Sequence, residues 1–397
     1  MLVNNIIFNG LNQVITILSP LVIQYHLVRT LNVEQLSEIY FLLSAFMFNN
    51  LINSFSSIEG VSRISKINEF NEKIKIISEI VSFLFFSNIL VSILALIYVY
   101  NTTDIGIFPI LLFVIPFMTV SFSGDYILQA LLKNKILTLR RLVIKVFLII
   151  FVLHFITDQS SYMTYLILIN LFLIFEHLIT FIYNYNIFKE IRLGLNYFFL
   201  VIRSKYKLLI FIITYNIIPN LFIITTFQND VSEVAAKTSI LMKLILVATT
   251  FISTAVMVLI PVRNKNQDAN INKKNIFLIY TIITSIFIYL VLNLSEELVL
   301  FLFLKDIFVE SYYLDVLALY IIFNPIINYI LFDDFINNEK YNIPLLLNFI
   351  QITCFGILLI HNVLNIFSFI GIYIICSLFL LIYRYFYENI FFLRPSR

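Results

Sequence analysis

A few ionisable side chains interrupt the long apolar segments of this 397-residue sequence: Asp125, Lys145, Glu176 and Lys243. A charge at the centre of a bilayer costs about 2.5–3.5 kcal/mol on insertion scales, so each such group needs a partner, a cavity or a route to the surface. Lys145, one turn into its segment, is expected to extend to the surface. Lys243 lies roughly 10 Å deep, which is too far for that, and it either faces a cavity or pairs with another group.

The two carboxylates are candidates for a proton or cation site. Asp125 is followed by a basic turn that leads to Arg140 and Arg141, so pairing with these arginines would instead clamp two neighbouring helices. Glu176 adjoins His177, but consecutive residues on a helix do not face each other, so adjacency alone makes no proton relay. We predict Asp125 and Glu176 as candidate coupling-ion residues, with the charge clamp favoured for Asp125.

Uncharged amides recur four residues apart in three apolar segments, which places each pair on one helix face. The pairs are Asn9 and Gln13, Asn49 and Asn53, and Asn216 and Asn220. They could line a polar strip that contacts substrate. They could equally join helices through hydrogen bonds worth about 0.6 kcal/mol each. Both interpretations stay open at this point.

The sequence lacks the constellations that catalysis or cofactor binding would require. It has no Gly-rich phosphate loop, no Ser/His/Asp set and no His pair at metal-ligand spacing. Cys354 and Cys376 both lie within apolar runs, so no disulfide framework is indicated. We predict a protein that is not an enzyme and carries no cofactor or metal.

The composition shows which elements must position these residues. Hydrophobic residues make up 61% of the chain and charged residues 12%, against about 45–50% and about 25% in soluble domains. This composition excludes a cytosolic enzyme or a nucleic-acid binder.

A spanning helix needs about 20 mostly apolar residues. We predict twelve such helices, at about 6–27, 38–56, 77–99, 106–130, 142–157, 162–185, 208–227, 236–260, 276–294, 312–332, 344–361 and 365–383.

The positive charges are distributed unevenly over the connections between these helices. Most of the 26 Lys and Arg residues fall in alternate connections and in the C-terminal tail. Because cytoplasmic loops are enriched in Lys and Arg, this pattern places both termini in the cytoplasm. One wrongly counted helix would disrupt this alternation of basic and non-basic connections, so the pattern supports the count of twelve.

The chain divides into two sets of six helices at the strongly charged connection 186–207. We therefore predict an N-terminal lobe at 1–195 and a C-terminal lobe at 196–397. Mid-helix prolines recur at corresponding helices of the two halves: Pro20 with Pro219, and Pro116 with Pro325. Broken helices at equivalent positions point to a central cavity between the lobes.

Several stretches resemble the Wzx-type polysaccharide flippases of the MOP exporter superfamily. The segment 9–65 is similar to the start of these proteins, and 208–263 is similar to their seventh and eighth helices. The sequence Asp-Tyr-Ile-Leu-Gln-Ala at 125–130 resembles their Asp-Trp-x-x-Gln-Gly pattern. It departs from that pattern in Tyr126 and Ala130, and helix 7 lacks an acidic residue.

The resemblance implies an all-α polytopic membrane protein of MATE-like fold in the bacterial cytoplasmic membrane. It implies transport of an undecaprenyl-pyrophosphate-linked oligosaccharide by rocking of the two lobes, with the polysaccharide polymerase and the chain-length regulator as partners. Lys243, Arg140 and Arg141 are then the candidates for attracting the pyrophosphate.

Three other functions would require different features of the sequence. A cation-coupled multidrug exporter of the same superfamily would rely on Glu176 and Asp125. A polysaccharide polymerase is disfavoured because the predicted external loops are short. A major facilitator is disfavoured because 56–70 lacks the Gly-x-x-x-Asp-Arg type of motif.

Overall fold

The computed structural model describes residues 2–228 and single helical positions between 346 and 357. Over these residues the chain is helical and contains no strand. The helices are α1 (Leu2–Thr30), α2 (Val33–Ala45), α3 (Met47–Ile64), α4 (Phe70–Thr102), α5 (Ile107–Val120), α6 (Asp125–Ala130), α7 (Asn134–Phe155), α8 (Tyr162–Tyr183), α9 (Tyr185–Phe188) and α10 (Leu195–Gln228). The predicted segments from 236 to 332 and at 365–383, together with Lys243, lie outside the described residues.

Each of the first seven predicted spans coincides with a helix or a pair of helices. The span predicted at 38–56 is the pair α2 and α3, which is bent by 44°. The span predicted at 106–130 is the pair α5 and α6. Among the described residues, Phe70–Thr102, Ile107–Ala130 and Gln159–Tyr183 are long and apolar enough to cross a membrane, and the bent pair makes a fourth. The chain is therefore a multi-pass membrane protein.

The helices pack as a bundle in which α1 contacts α7, α7 contacts α8, α8 contacts α5, α5 contacts α4, and α4 contacts α3. One end of this bundle carries the connections 65–69, 131–133 and 189–194, each of which contains Lys or Arg, and we name it the basic end. The other end, named the opposite end, carries the connections 31–32, 103–106 and 156–161.

The interior near the opposite end is apolar. Phe46 stacks on Phe113 and Phe117, with ring centroids 5.9 and 5.7 Å apart. At the same end His26 Nε2 lies 2.6 Å from the carbonyl oxygen of Ile156, so this histidine joins the ends of α1 and α7. The surrounding cluster of buried side chains includes Ile23, Leu27, Phe41, Leu42, Val99, Ile110, Leu148, Val152 and Leu166.

Two glycines allow close approaches near the basic end. Gly124, between α5 and α6, has a φ of 65°, a left-handed conformation that favours glycine. Gly60 on α3 faces the ring of Tyr126 on α6, and a Cβ atom at this position would lie 2.5 Å from Tyr126 Cδ2. Glycine at position 60 therefore lets α3 and α6 pack directly against each other.

The connection predicted at 186–207 is largely helical, which differs from expectation. The helix α10 begins at Leu195 and has a non-helical residue at Lys205, where it kinks. The preceding stretch is attached to α4 through main-chain donors. The N–H of Arg192 donates to Ser78 Oγ at 3.2 Å, and the N–H of Gly194 donates to Ser82 Oγ at 3.1 Å.

Candidate functional site

Five charged side chains from three consecutive spans meet towards the basic end, and we name them the charge cluster. Arg140 Nη1 lies 2.6 Å from Asp125 Oδ1, and Arg140 Nη2 lies 2.9 Å from Glu176 Oε1. Arg141 contacts the same two carboxylates, at 3.0 Å from Asp125 Oδ2 and 3.2 Å from Glu176 Oε1. Lys145 Nζ lies 3.5 Å from Glu176 Oε2.

Local structure brings these groups together. The left-handed turn at Gly124 breaks the fourth span, so that Asp125 begins the short helix α6. The arginines follow on α7, and Glu176 lies on α8, which packs against α7. The predicted pairing of Asp125 with Arg140 and Arg141 is confirmed. Because buried charges are costly without partners, this mutual pairing is what permits them here.

The expectation for Lys145 is wrong. The helix α7 begins at Asn134, eight residues before the predicted start of its span, so Lys145 lies about 16 Å along the helix. At that position its ammonium group pairs with Glu176 within the bundle instead of extending to the surface.

Glu176 therefore faces three cations, a setting in which a transported cation would have to compete with fixed positive charges. Its neighbour His177 faces a different group, because His177 Nδ1 lies 2.8 Å from Thr119 Oγ1 on α5. The expectation that adjacency makes no relay between Glu176 and His177 agrees with this arrangement. The coupling-ion role of Glu176 and Asp125 stays a prediction.

A second polar group, which we name the amide network, joins α3, α4 and α5. Asn49 Nδ2 donates to Asn88 Oδ1 at 3.1 Å and to Ser92 Oγ at 3.0 Å. Asn88 Nδ2 donates to Asn53 Oδ1 at 3.3 Å and to Ser121 Oγ at 3.2 Å. Asn49 and Asn88 are completely buried. Asn49 and Asn53 thus make helix–helix hydrogen bonds, and their predicted contact with substrate stays a prediction.

The other predicted amides lie on described helices, but their side chains are outside the description. Asn9 and Gln13 lie on α1, and Asn216 and Asn220 lie on α10. Lys243, the remaining candidate for binding pyrophosphate, is also outside the described residues.

Sequence reasoning missed a third polar group, at the basic ends of α3, α4 and α10. Arg63 Nη2 lies 2.8 Å from Glu79 Oε2 and Arg63 Nε lies 3.8 Å from Glu59 Oε1. Lys205, at the kink of α10, lies 3.6 Å from the same Glu59 oxygen. The spacing of Glu59 and Arg63, four residues apart, was the available signal for the first pair. No group of three or more potential metal ligands occurs in the described part of the chain.

Comparison with known proteins identifies the fold. A crystal structure of MATE in complex with MaL6 superposes with a TM-score of 0.59 at 12% sequence identity, over 98% of this chain and 95% of that one. No family model and no curated protein matches the sequence. The predicted fold class, an all-α polytopic membrane protein of MATE-like fold, is confirmed; the count of twelve spans extends beyond the described residues.

Proposed function

We propose that this protein is a flippase that moves an undecaprenyl-pyrophosphate-linked oligosaccharide across the bacterial cytoplasmic membrane. The N-terminal lobe at 1–195 and the C-terminal lobe at 196–397 would rock against each other, exposing a central cavity to each side in turn. Both termini would lie in the cytoplasm, and the polysaccharide polymerase and chain-length regulator would act on the delivered product.

The charge cluster is the observation that carries this proposal. It holds three cations against two carboxylates inside a bundle of transporter fold, towards the basic end. An anionic head group on a lipid would enter from that end while its apolar tail stays in the bilayer. Arg140, Arg141 and Lys243 are the proposed sources of attraction for the pyrophosphate, and the amide pairs are the proposed uncharged contacts with the substrate.

The test is deletion of the gene in its native host. We expect lipid-linked repeat units to accumulate on the cytoplasmic leaflet and surface polysaccharide to be lost, because the proposed flippase would carry these units across the membrane. The measurement is extraction of the lipid-linked pool together with surface polysaccharide staining. Complementation with the wild-type gene should restore both. Normal surface polysaccharide in the deletion strain would contradict the proposal.

A cation-coupled multidrug exporter is the second candidate, and the likeness to a MATE structure is equally compatible with it. It would require Glu176 or Asp125 to take up Na⁺ or H⁺, although the arginines beside both carboxylates compete for them. The same deletion strain discriminates between the two. Unchanged polysaccharide with increased drug sensitivity would select the exporter.

A further inference from the structure

The positive and negative charges of the charge cluster are not equal in number. With all five groups ionised, Arg140, Arg141 and Lys145 exceed the two carboxylates by one positive charge. Uncompensated charge in a protein interior is unfavourable unless an anion completes the site.

The three cations differ in how completely the carboxylates neutralise them and in how exposed their side chains are. Both terminal nitrogens of Arg140 donate hydrogen bonds to carboxylates, and its side chain is only 4% exposed. Arg141 and Lys145 have side chains that are 20% and 19% exposed. The ammonium group of Lys145 lies 3.5 Å from its carboxylate, beyond the 2.7–2.9 Å of a strong charge-assisted hydrogen bond. Lys145 is therefore the least neutralised of the three cations.

We propose that Lys145 and Arg141 form a binding site for a phosphate-bearing lipid head group, and that Arg140 positions them. Arg140 bridges Asp125 and Glu176, and these two carboxylates in turn fix Arg141 and Lys145. The site rests on the proposed function, since it identifies which cations contact the pyrophosphate. It assigns that contact to Lys145 and removes it from Arg140.

The depth of the site suits this ligand. Arg141 and Lys145 lie four residues apart on one face of α7, so their charged groups can reach two oxygens of a single pyrophosphate. They lie about 10 and 16 Å along a helix that starts at the basic end. A head group reaching them has entered the bundle, while a prenyl tail can stay among the apolar helix faces.

The experiment measures ligand binding to the purified full-length chain in lipid nanodiscs. Undecaprenyl pyrophosphate, inorganic pyrophosphate and undecaprenol are the three probes, and Lys145→Gln is the test variant. We expect the variant to bind undecaprenyl pyrophosphate about tenfold more weakly, and added salt to weaken wild-type binding. Lys145→Arg should restore most of the affinity because it keeps the charge.

Lys135→Gln is the matched control. Lys135 is an exposed lysine of the same helix, lies near the ring of Phe8 and is outside the charge cluster. This variant should bind like the wild type. Thermal unfolding of each variant, followed in the same nanodiscs, separates loss of binding from loss of fold.

If a folded Lys145→Gln variant binds undecaprenyl pyrophosphate as tightly as the wild type, the assignment of the binding site to Lys145 is wrong. Binding of inorganic pyrophosphate as tightly as the lipid would overturn the lipid as its ligand. This assay detects binding without flipping. A deletion strain with normal polysaccharide, combined with Lys145-dependent lipid binding, would therefore disprove the proposed function and leave the site in place.

Discussion

Asp125 shows how much a single side chain can organise. It accepts two hydrogen bonds from Arg140 and one from Arg141, so its charge permits two arginines to lie within the bundle. Sequence alone predicted this pairing, because a short turn joins the two helices that carry the residues and a buried carboxylate needs a cation nearby.

Loss of that charge should destabilise the fold. For Asp125→Asn we expect a decrease of order 3 kcal/mol in the free energy of unfolding, since both arginines would then depend on Glu176 alone. Thermal unfolding in detergent or nanodiscs measures it. Asp158→Asn, which changes an exposed carboxylate in a loop, is the control and should have little effect. Equal stability of the Asp125→Asn variant and the wild type would show that the clamp adds nothing.

Other partners at this scale could not be predicted from the sequence. Lys145 was misplaced because the fifth span was predicted to start at 142, whereas the helix begins at Asn134. That error brought Lys145 close to the predicted surface. Asn88 was missed because its partners Asn49 and Asn53 lie on another helix, 39 and 35 residues away, and no periodicity connects them.

At the scale of elements, hydropathy located the helices but not their breaks. The bend between α2 and α3 and the turn at Gly124 interrupt two segments that each satisfy the average hydropathy of a single membrane span. Breaks of this kind depend on backbone conformation and on close approach of neighbours. These are properties of the assembled bundle, so apolar periodicity along one segment does not report them.

The approach of α3 to α6 gives a prediction at this scale. In Gly60→Ala the added methyl group would overlap the ring of Tyr126, and we expect destabilisation of about 1–3 kcal/mol from the forced displacement. Gly106→Ala is the matched control because its Cβ would meet Pro109 Cδ at an ordinary 3.7 Å. Both are measured by thermal unfolding. A Gly60→Ala variant as stable as the control would show that α3 and α6 can move apart without loss of stability.

For the whole molecule, the sequence predicted both the fold class and the end of the bundle at which each described connection lies. The described connections alternate between a basic end and an opposite end, as the distribution of Lys and Arg indicated. The division into two lobes depends on residues beyond 228 and stays a prediction.

The orientation in the membrane can be tested in the full chain. After Cys354 and Cys376 are replaced by Ser, single cysteines are introduced at the exposed positions Asp104, Lys133, Asp158 and Glu190. A membrane-impermeant maleimide added outside intact cells or spheroplasts should label positions 104 and 158 and spare 133 and 190, because basic loops face the cytoplasm. Labelling in the reverse pattern would invert the proposed orientation.

The attachment of residues 189–194 to α4 determines which positions can accept substitutions. The donors at Arg192 and Gly194 belong to the main chain, and the acceptors are the hydroxyls of Ser78 and Ser82. Any non-proline residue offers the same N–H. The connection 189–194 can therefore change its side chains, and with them its charge, without detaching from α4. The constraint on which residues are tolerated falls on two serines more than a hundred positions earlier in the chain.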